Sequence, residues 1–185
     1  EIKFTYIAKE FKSNFRPKSK FPKTLDKMKK TEPQDDEVSL DTKITLNLFE
    51  DLKYDLKNIR LGSEVKPIYL SKLPKDLKKL KSTQMRKDTF IKIVMPLILD
   101  ENNKILENRQ KLFKILGKQN NSRGERVWLK RRFEDYEIKN EDVTELKLRM
   151  DIVPVSIAIA QAAKESGWGT SRFALEGNAL FGQWT

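Results

Sequence analysis

Val153-Pro154-Val155-Ser156-Ile157-Ala158-Ile159-Ala160-Gln161-Ala162-Ala163-Lys164-Glu165-Ser166-Gly167-Trp168-Gly169 is unlike the rest of the chain. Pro154 suits the first turn of a helix, where its missing N–H leaves no bond unmade. The residues after it are apolar almost all round, which predicts a buried central helix. Ala158, Ala162 and Ala163 are small enough to let neighbouring helices approach closely, and Gly167 and Gly169 then end the helix.

Glu165 falls in the last turn of this predicted helix, with Gln161 one turn back on the same side. The helix C-terminus carries partial negative charge, and burial penalises an ionised carboxylate. Both effects predict a raised pKa, the property of a general acid working near neutral pH. A structural alternative is an ion pair between Glu165 and an arginine such as Arg172.

Composition narrows the chemistry. The 185 residues include neither histidine nor cysteine. That excludes Ser-His-Asp and Cys-His catalysis, thiolate nucleophiles and metal sites built on either residue. A glycosidase needs neither, because a carboxylic acid alone can protonate a leaving oxygen. No metal or organic cofactor is expected. Charged residues make up 35% of the chain and apolar ones 38%. No apolar run approaches the roughly 18–20 residues of a membrane helix. The net charge is +11. From Asp151 onward two cations face three anions, so the first 150 residues carry +12. Such a surface suits an anionic wall polymer or a membrane surface. Nucleic acid is not expected, since no recognised nucleic-acid motif accompanies the charge.

The chain divides into a basic tail or linker (1–40), an N-terminal helical region (41–120) and a helical lobe with the helix of interest (121–185). The tail mixes Pro, Lys and acids without periodicity, yet carries Phe4, Tyr6, Phe11, Phe15 and Phe21, which are expected to dock on the domain or a membrane surface. Leu46, Phe49, Leu52, Leu56 and Ile59 predict one helical face, stopped at Gly62. Pro74 and Asp76 open another helical stretch. A long helix is predicted from about Asp88 to Leu116, with a kink or break at Pro96. Gln119 to Gly124 reads as a turn. Two short helices should follow, around Val127–Phe133 and Val143–Met150. No alternating strand pattern appears, so the fold class is all-α.

At Ala160-Gln161-Ala162-Ala163-Lys164-Glu165-Ser166-Gly167-Trp168-Gly169-Thr170-Ser171-Arg172-Phe173-Ala174, followed by Gly177-Asn178-Ala179-Leu180-Phe181-Gly182, the chain resembles the core motif of bacterial glucosaminidases, most closely their Bax-type branch. Leu73-Pro74-Lys75-Asp76-Leu77, Arg86-Lys87 with Phe90-Ile91, Met95-Pro96-Leu97-Ile98-Leu99 and Arg149-Met150-Asp151-Ile152-Val153-Pro154 are also similar to that branch. The resemblance spans roughly residues 44–185, and the C-terminal motif is its most specific part.

The resemblance implies a lysozyme-like α lobe, cleavage of the β-1,4 bond after N-acetylglucosamine in peptidoglycan strands, and Glu165 as the acid. It also implies a cell-envelope location, periplasmic or secreted, with any leader or anchor upstream of this chain. Gln161, Ser166, Trp168, Asn178, Phe181 and Trp184 are the candidate substrate-binding residues. Trp168 is the preferred stacking platform for a sugar ring. Core packing is the competing reading for Phe173 and Phe181. Asn178 and Gln183 could donate to acetamido groups, although turn backbone is the favoured partner of Asn178.

In the family the remaining catalytic groups are expected in a β-rich lobe after the Phe-Gly motif, and that lobe is expected to be missing here. Glu176 is the nearest later acid, and is expected to face outward. A non-catalytic wall-glycan-binding module is therefore the alternative function, and a lytic transglycosylase the alternative enzyme.

Overall fold

A computed structural model describes residues 41–181 of the chain. The predicted docking of the tail aromatics and the roles of Gln183 and Trp184 lie outside the described residues. Within them the fold is all-α, with no strand, as the sequence predicts. In chain order the helices are α1 (Thr42–Asp51), α2 (Leu56–Arg60), α3 (Thr83–Leu116), α4 (Arg123–Asp135), α5 (Val143–Arg149), α6 (Val155–Ser166) and α7 (Arg172–Glu176). A single 3-10 turn, Leu77–Lys79, lies between α2 and α3.

Most helices start at a side-chain cap. Asp41, Asp55, Ser82, Ser122, Asp142 and Ser171 each accept a backbone N–H of the first turn, which supplies one of the donors a helix start leaves unpaired. Ser122 and Glu125 close a reciprocal capping box at α4. That cap converts the latter part of the predicted Gln119–Gly124 turn into helix.

Three sequence expectations are corrected here. The apolar face from Leu46 to Ile59 is not one helix but two. Lys53 adopts a left-handed conformation (φ 50°), and the N–H of Tyr54 reaches back to the Phe49 carbonyl at 2.8 Å. This wrap ends α1, and Asp55 starts α2 afresh. Leu52 is consequently exposed rather than in the face. The stretch opened by Pro74 is likewise no more than the 3-10 turn. The expected break at Pro96 is also absent: α3 runs unbroken for 34 residues, about 50 Å at the usual helical rise. Pro96 is buried, and packing there outweighs the one hydrogen bond its ring denies the Lys92 carbonyl.

The long α3 serves two apolar clusters. Its first half contributes Phe90, Ile93, Val94 and Ile98 to a core shared with Phe49, Tyr54, Leu70, Leu73, Val153 and the α6 alanines. Its second half contributes Ile105 and Leu112 to a core with Phe133, Tyr136, Ile138, Leu146 and Met150. Each large side chain fully buried in this way stabilises the fold by roughly 1.5–3 kcal/mol before entropy is counted. The α3–α6 pair is the most extensive helix contact among the described residues. The two helices run antiparallel: Asn102 meets Val153 at one end, and Phe90 meets Trp168 at the other.

Candidate functional site

The alanines decide how α6 sits. Ala158, Ala162 and Ala163 form a buried stripe with Ser166, four small residues that let the backbone lie close to α3. The rest of the helix is open. Ile157 is 51% exposed, and Ser156, Ala160, Lys164 and Glu165 are exposed as well. The expected all-round burial is therefore corrected. The helix is apolar all round, but one stripe is enough to seat it, and the opposite face is left to solvent. Glu165 keeps its predicted place in the last turn but not its predicted burial.

Gln161 and Glu165 are brought together as their spacing requires: Gln161 Nε2 donates to Glu165 Oε1 at 2.8 Å. That contact fixes one carboxylate oxygen on the open side of the helix. Arg172 lies 3.9 Å from Glu176, and both side chains are about three-quarters exposed. Glu176 thus faces outward as expected.

The turn after Glu165 is held by its own backbone. Gly167 caps the helix at φ 58°, and the Trp168 N–H returns to the Ala163 carbonyl at 2.8 Å. Ser166, buried, donates to the Ala162 carbonyl and accepts the Gly169 N–H at 2.9 Å. Its hydroxyl therefore serves the turn. Gly169 has φ 73°, and a Cβ there would stand 2.8 Å from Phe90 Cδ2 and 3.1 Å from Leu73 Cδ1. Only glycine fits both the conformation and the space.

Trp168 itself is left-handed at φ 58° and half-buried. Its ring meets the edge of Phe90, with centroids 5.9 Å apart, and the Lys87 ammonium lies 4.8 Å from the ring centroid. Phe181 is buried in the first core, consistent with core packing, whereas Phe173 is 72% exposed and does not pack there. Asn178 Nδ2 donates to the Ser71 carbonyl at 2.9 Å. This is a backbone partner, as favoured, but one 107 positions away rather than in its own turn.

Sequence reasoning treated Leu73, Lys87 and Phe90 as separate upstream matches, and the structure packs them against Trp168 and Gly169 of the Glu165 turn. It did not single out Asn102. That side chain pairs with Val153 in both directions, donating to its carbonyl at 2.8 Å and accepting its N–H at 3.0 Å. It thereby anchors the strandless segment that enters α6. The available signal was an amide at the position where the Ile98–Ile105 stripe of α3 calls for an apolar residue. Among the described residues no cluster of acids could hold a metal ion, and no helix is long and apolar enough to cross a membrane.

Comparison with known proteins matches the segment that holds the Glu165 turn. Residues 140–185 match the glucosaminidase family, described as mannosyl-glycoprotein endo-beta-N-acetylglucosaminidase. The chain is 39% identical over 118 residues to "Protein bax" of Escherichia coli (strain K12), an alignment covering 60% of this chain and 43% of that protein. The chain thus spans less than half the length of this relative. No solved structure matches the chain. The chain is thus similar to the glucosaminidase family on the motif that forms the Glu165 turn, and to the Bax protein over 60% of its length.

Proposed function

We propose that this chain carries the acid-bearing lobe of a peptidoglycan hydrolase that cleaves the β-1,4 bond after N-acetylglucosamine, with Glu165 as the general acid. The observation that carries the reading is the placement of Glu165. It stands on the open side of a helix seated by small residues, steadied by Gln161 and followed by a turn that tolerates only glycine at position 169. A carboxyl group so held can reach a strand lying along the exposed face of α6. The family match supports a glycan substrate in general.

In the proposed step the Glu165 proton passes to the glycosidic oxygen as the bond to the anomeric carbon breaks. The substrate's own acetamido oxygen closes on that carbon, and water later opens the ring so formed. This route asks for no second carboxylate, and Glu176 is turned outward beside Arg172. The activity belongs in the cell envelope, where its substrate is found. Trp168, Asn178 and Gln161 flank the proposed path of the sugar.

The test is the product. Purified peptidoglycan incubated with the chain should release fragments ending in reducing N-acetylglucosamine. Fragments ending in 1,6-anhydro sugars would replace the hydrolase with a lytic transglycosylase. Retention on peptidoglycan with no new ends of either kind would leave a glycan-binding module.

A further inference from the structure

The segment from Ser71 to Lys81 is rich in lysine. It is pinned beside the Glu165 turn at several points. The Ser71 carbonyl accepts Asn178 Nδ2, and Leu73 lies against Gly169. Asp76 Oδ1 accepts the Thr42 N–H at 2.9 Å and the Thr42 hydroxyl at 2.7 Å, and Leu77 is fully buried. Between and after these anchors stand Lys75, Lys78, Lys79 and Lys81, all exposed. None of the four has a carboxylate within 4 Å among the described residues, whereas Lys104, Lys118, Arg132 and Arg149 elsewhere do. The single acid of the segment, Asp76, is held by Thr42.

Four cations fixed on an anchored backbone, with the local acid already engaged, make a surface complementary to a polyanion. Chain geometry keeps it close to the site: the Lys75 Cα lies within about 7 Å of the Leu73 Cα, since two residues can span no more. Lys87, over Trp168, extends positive charge towards the Glu165 turn.

We infer that Lys75, Lys78, Lys79 and Lys81 form a cationic rim that binds the ionised carboxylates of the peptide stems on the wall glycan, so that the site prefers anionic peptidoglycan to neutral glycan of the same backbone. The inference rests on the glycan-cleaving reading for its choice of partner. Its test does not depend on turnover.

Insoluble sacculi are compared with sacculi whose carboxylates have been coupled to glycinamide, and binding of the full chain is measured by co-sedimentation at low and high salt. Native sacculi should bind the wild-type chain at least tenfold more tightly, with the advantage shrinking as salt rises. The K75Q/K78Q/K79Q/K81Q variant should lose that advantage and bind both materials alike. K114Q/K130Q/R131Q/K139Q removes the same charge from exposed positions by the second core, and should keep it. Thermal melts establish that both variants are folded. A rim variant that still prefers native sacculi, or a control that loses the preference equally, overturns the inference. So does tighter binding to duplex DNA than to sacculi through the same four lysines, which would make the rim a nucleic-acid surface. Glu165→Gln separates the two readings: it should bind sacculi like the wild type. If the wild-type chain releases no sugar ends while the rim variant still loses its preference, the activity reading fails and the rim stands.

Discussion

The two ends of α3 are built differently. At its C-terminal end the second core draws only on residues 105–150, and the ion pairs around it join close neighbours, Arg149 with Glu145, Arg132 with Asp135 and Lys118 with Glu125, while Arg109 alone reaches further, to the Lys147 and Met150 carbonyls. At its N-terminal end the core joins residues 49–98 to residues 153–181. Its polar ties reach far along the chain, Asn102 to Val153 and Asn178 to Ser71. Gly167, Trp168, Gly169 and Asn178 are left-handed at this end, three of them consecutive, whereas Glu137 and Glu141 are isolated left-handed residues at the other. One end is a local bundle with exposed, replaceable charge pairs. The other is a non-local assembly around a turn with special backbone, which is the kind of place where side chains are held for chemistry rather than for packing alone.

That contrast predicts unequal mutational costs. Gly169→Ala should have the largest effect, on the order of 3 kcal/mol in urea unfolding, because it adds both an overpacked methyl and left-handed strain. A loss below about 0.5 kcal/mol, the scatter of an ordinary surface substitution, would remove the distinction between the two ends. Asn102→Ala leaves the Val153 N–H and carbonyl buried without partners and should cost about 2 kcal/mol in the same assay. Hydrogen exchange should quicken at the start of α6 in this variant, and unchanged exchange there would deny Asn102 its anchoring role.

Thr42→Val should cost about 1 kcal/mol at neutral pH, since Asp76 loses the hydroxyl that binds it. The Thr42 hydroxyl is also the chief cause holding the Asp76 carboxyl below the usual carboxylate range. A lowered folded pKa means that this stability is present above the unfolded value and is lost as pH falls through the folded one. The difference between Thr42→Val and wild type should therefore narrow on acidification below about pH 4. A gap that stays constant into strong acid would mean the hydroxyl acts through packing. Glu145→Gln at the other end should be the mildest change, within about 0.5 kcal/mol, because exposed helix ion pairs contribute little. A cost rivalling that of Asn102→Ala would break the comparison.

Much of this was legible along the chain. Pro154 and Gly167 bracket α6, and the spacing of Gln161 and Glu165 foretells their hydrogen bond. The all-α class and the short helices after Ser122 and Asp142 follow from periodicity and capping residues. Three features were not legible, each for a physical reason. The end of α1 uses Lys53 in a left-handed conformation where a glycine would have announced it. The open face of α6 looks buried because alanine and isoleucine read as apolar wherever they point, and only the α3 contact shows which stripe is used. The neighbours of the Glu165 turn, Leu73, Lys87 and Phe90, lie 75 or more positions upstream, so no local pattern links them to it.

The most direct measurement is sugar-end release from purified peptidoglycan by the wild-type chain and by Glu165→Gln, with thermal melts of both. Glu165 is exposed and lies outside the buried stripe, so the substitution should leave the melt unchanged while removing release by at least a hundredfold, the lower range for a positioned general acid. Equal release by the two proteins would contradict the assignment of Glu165 as the acid.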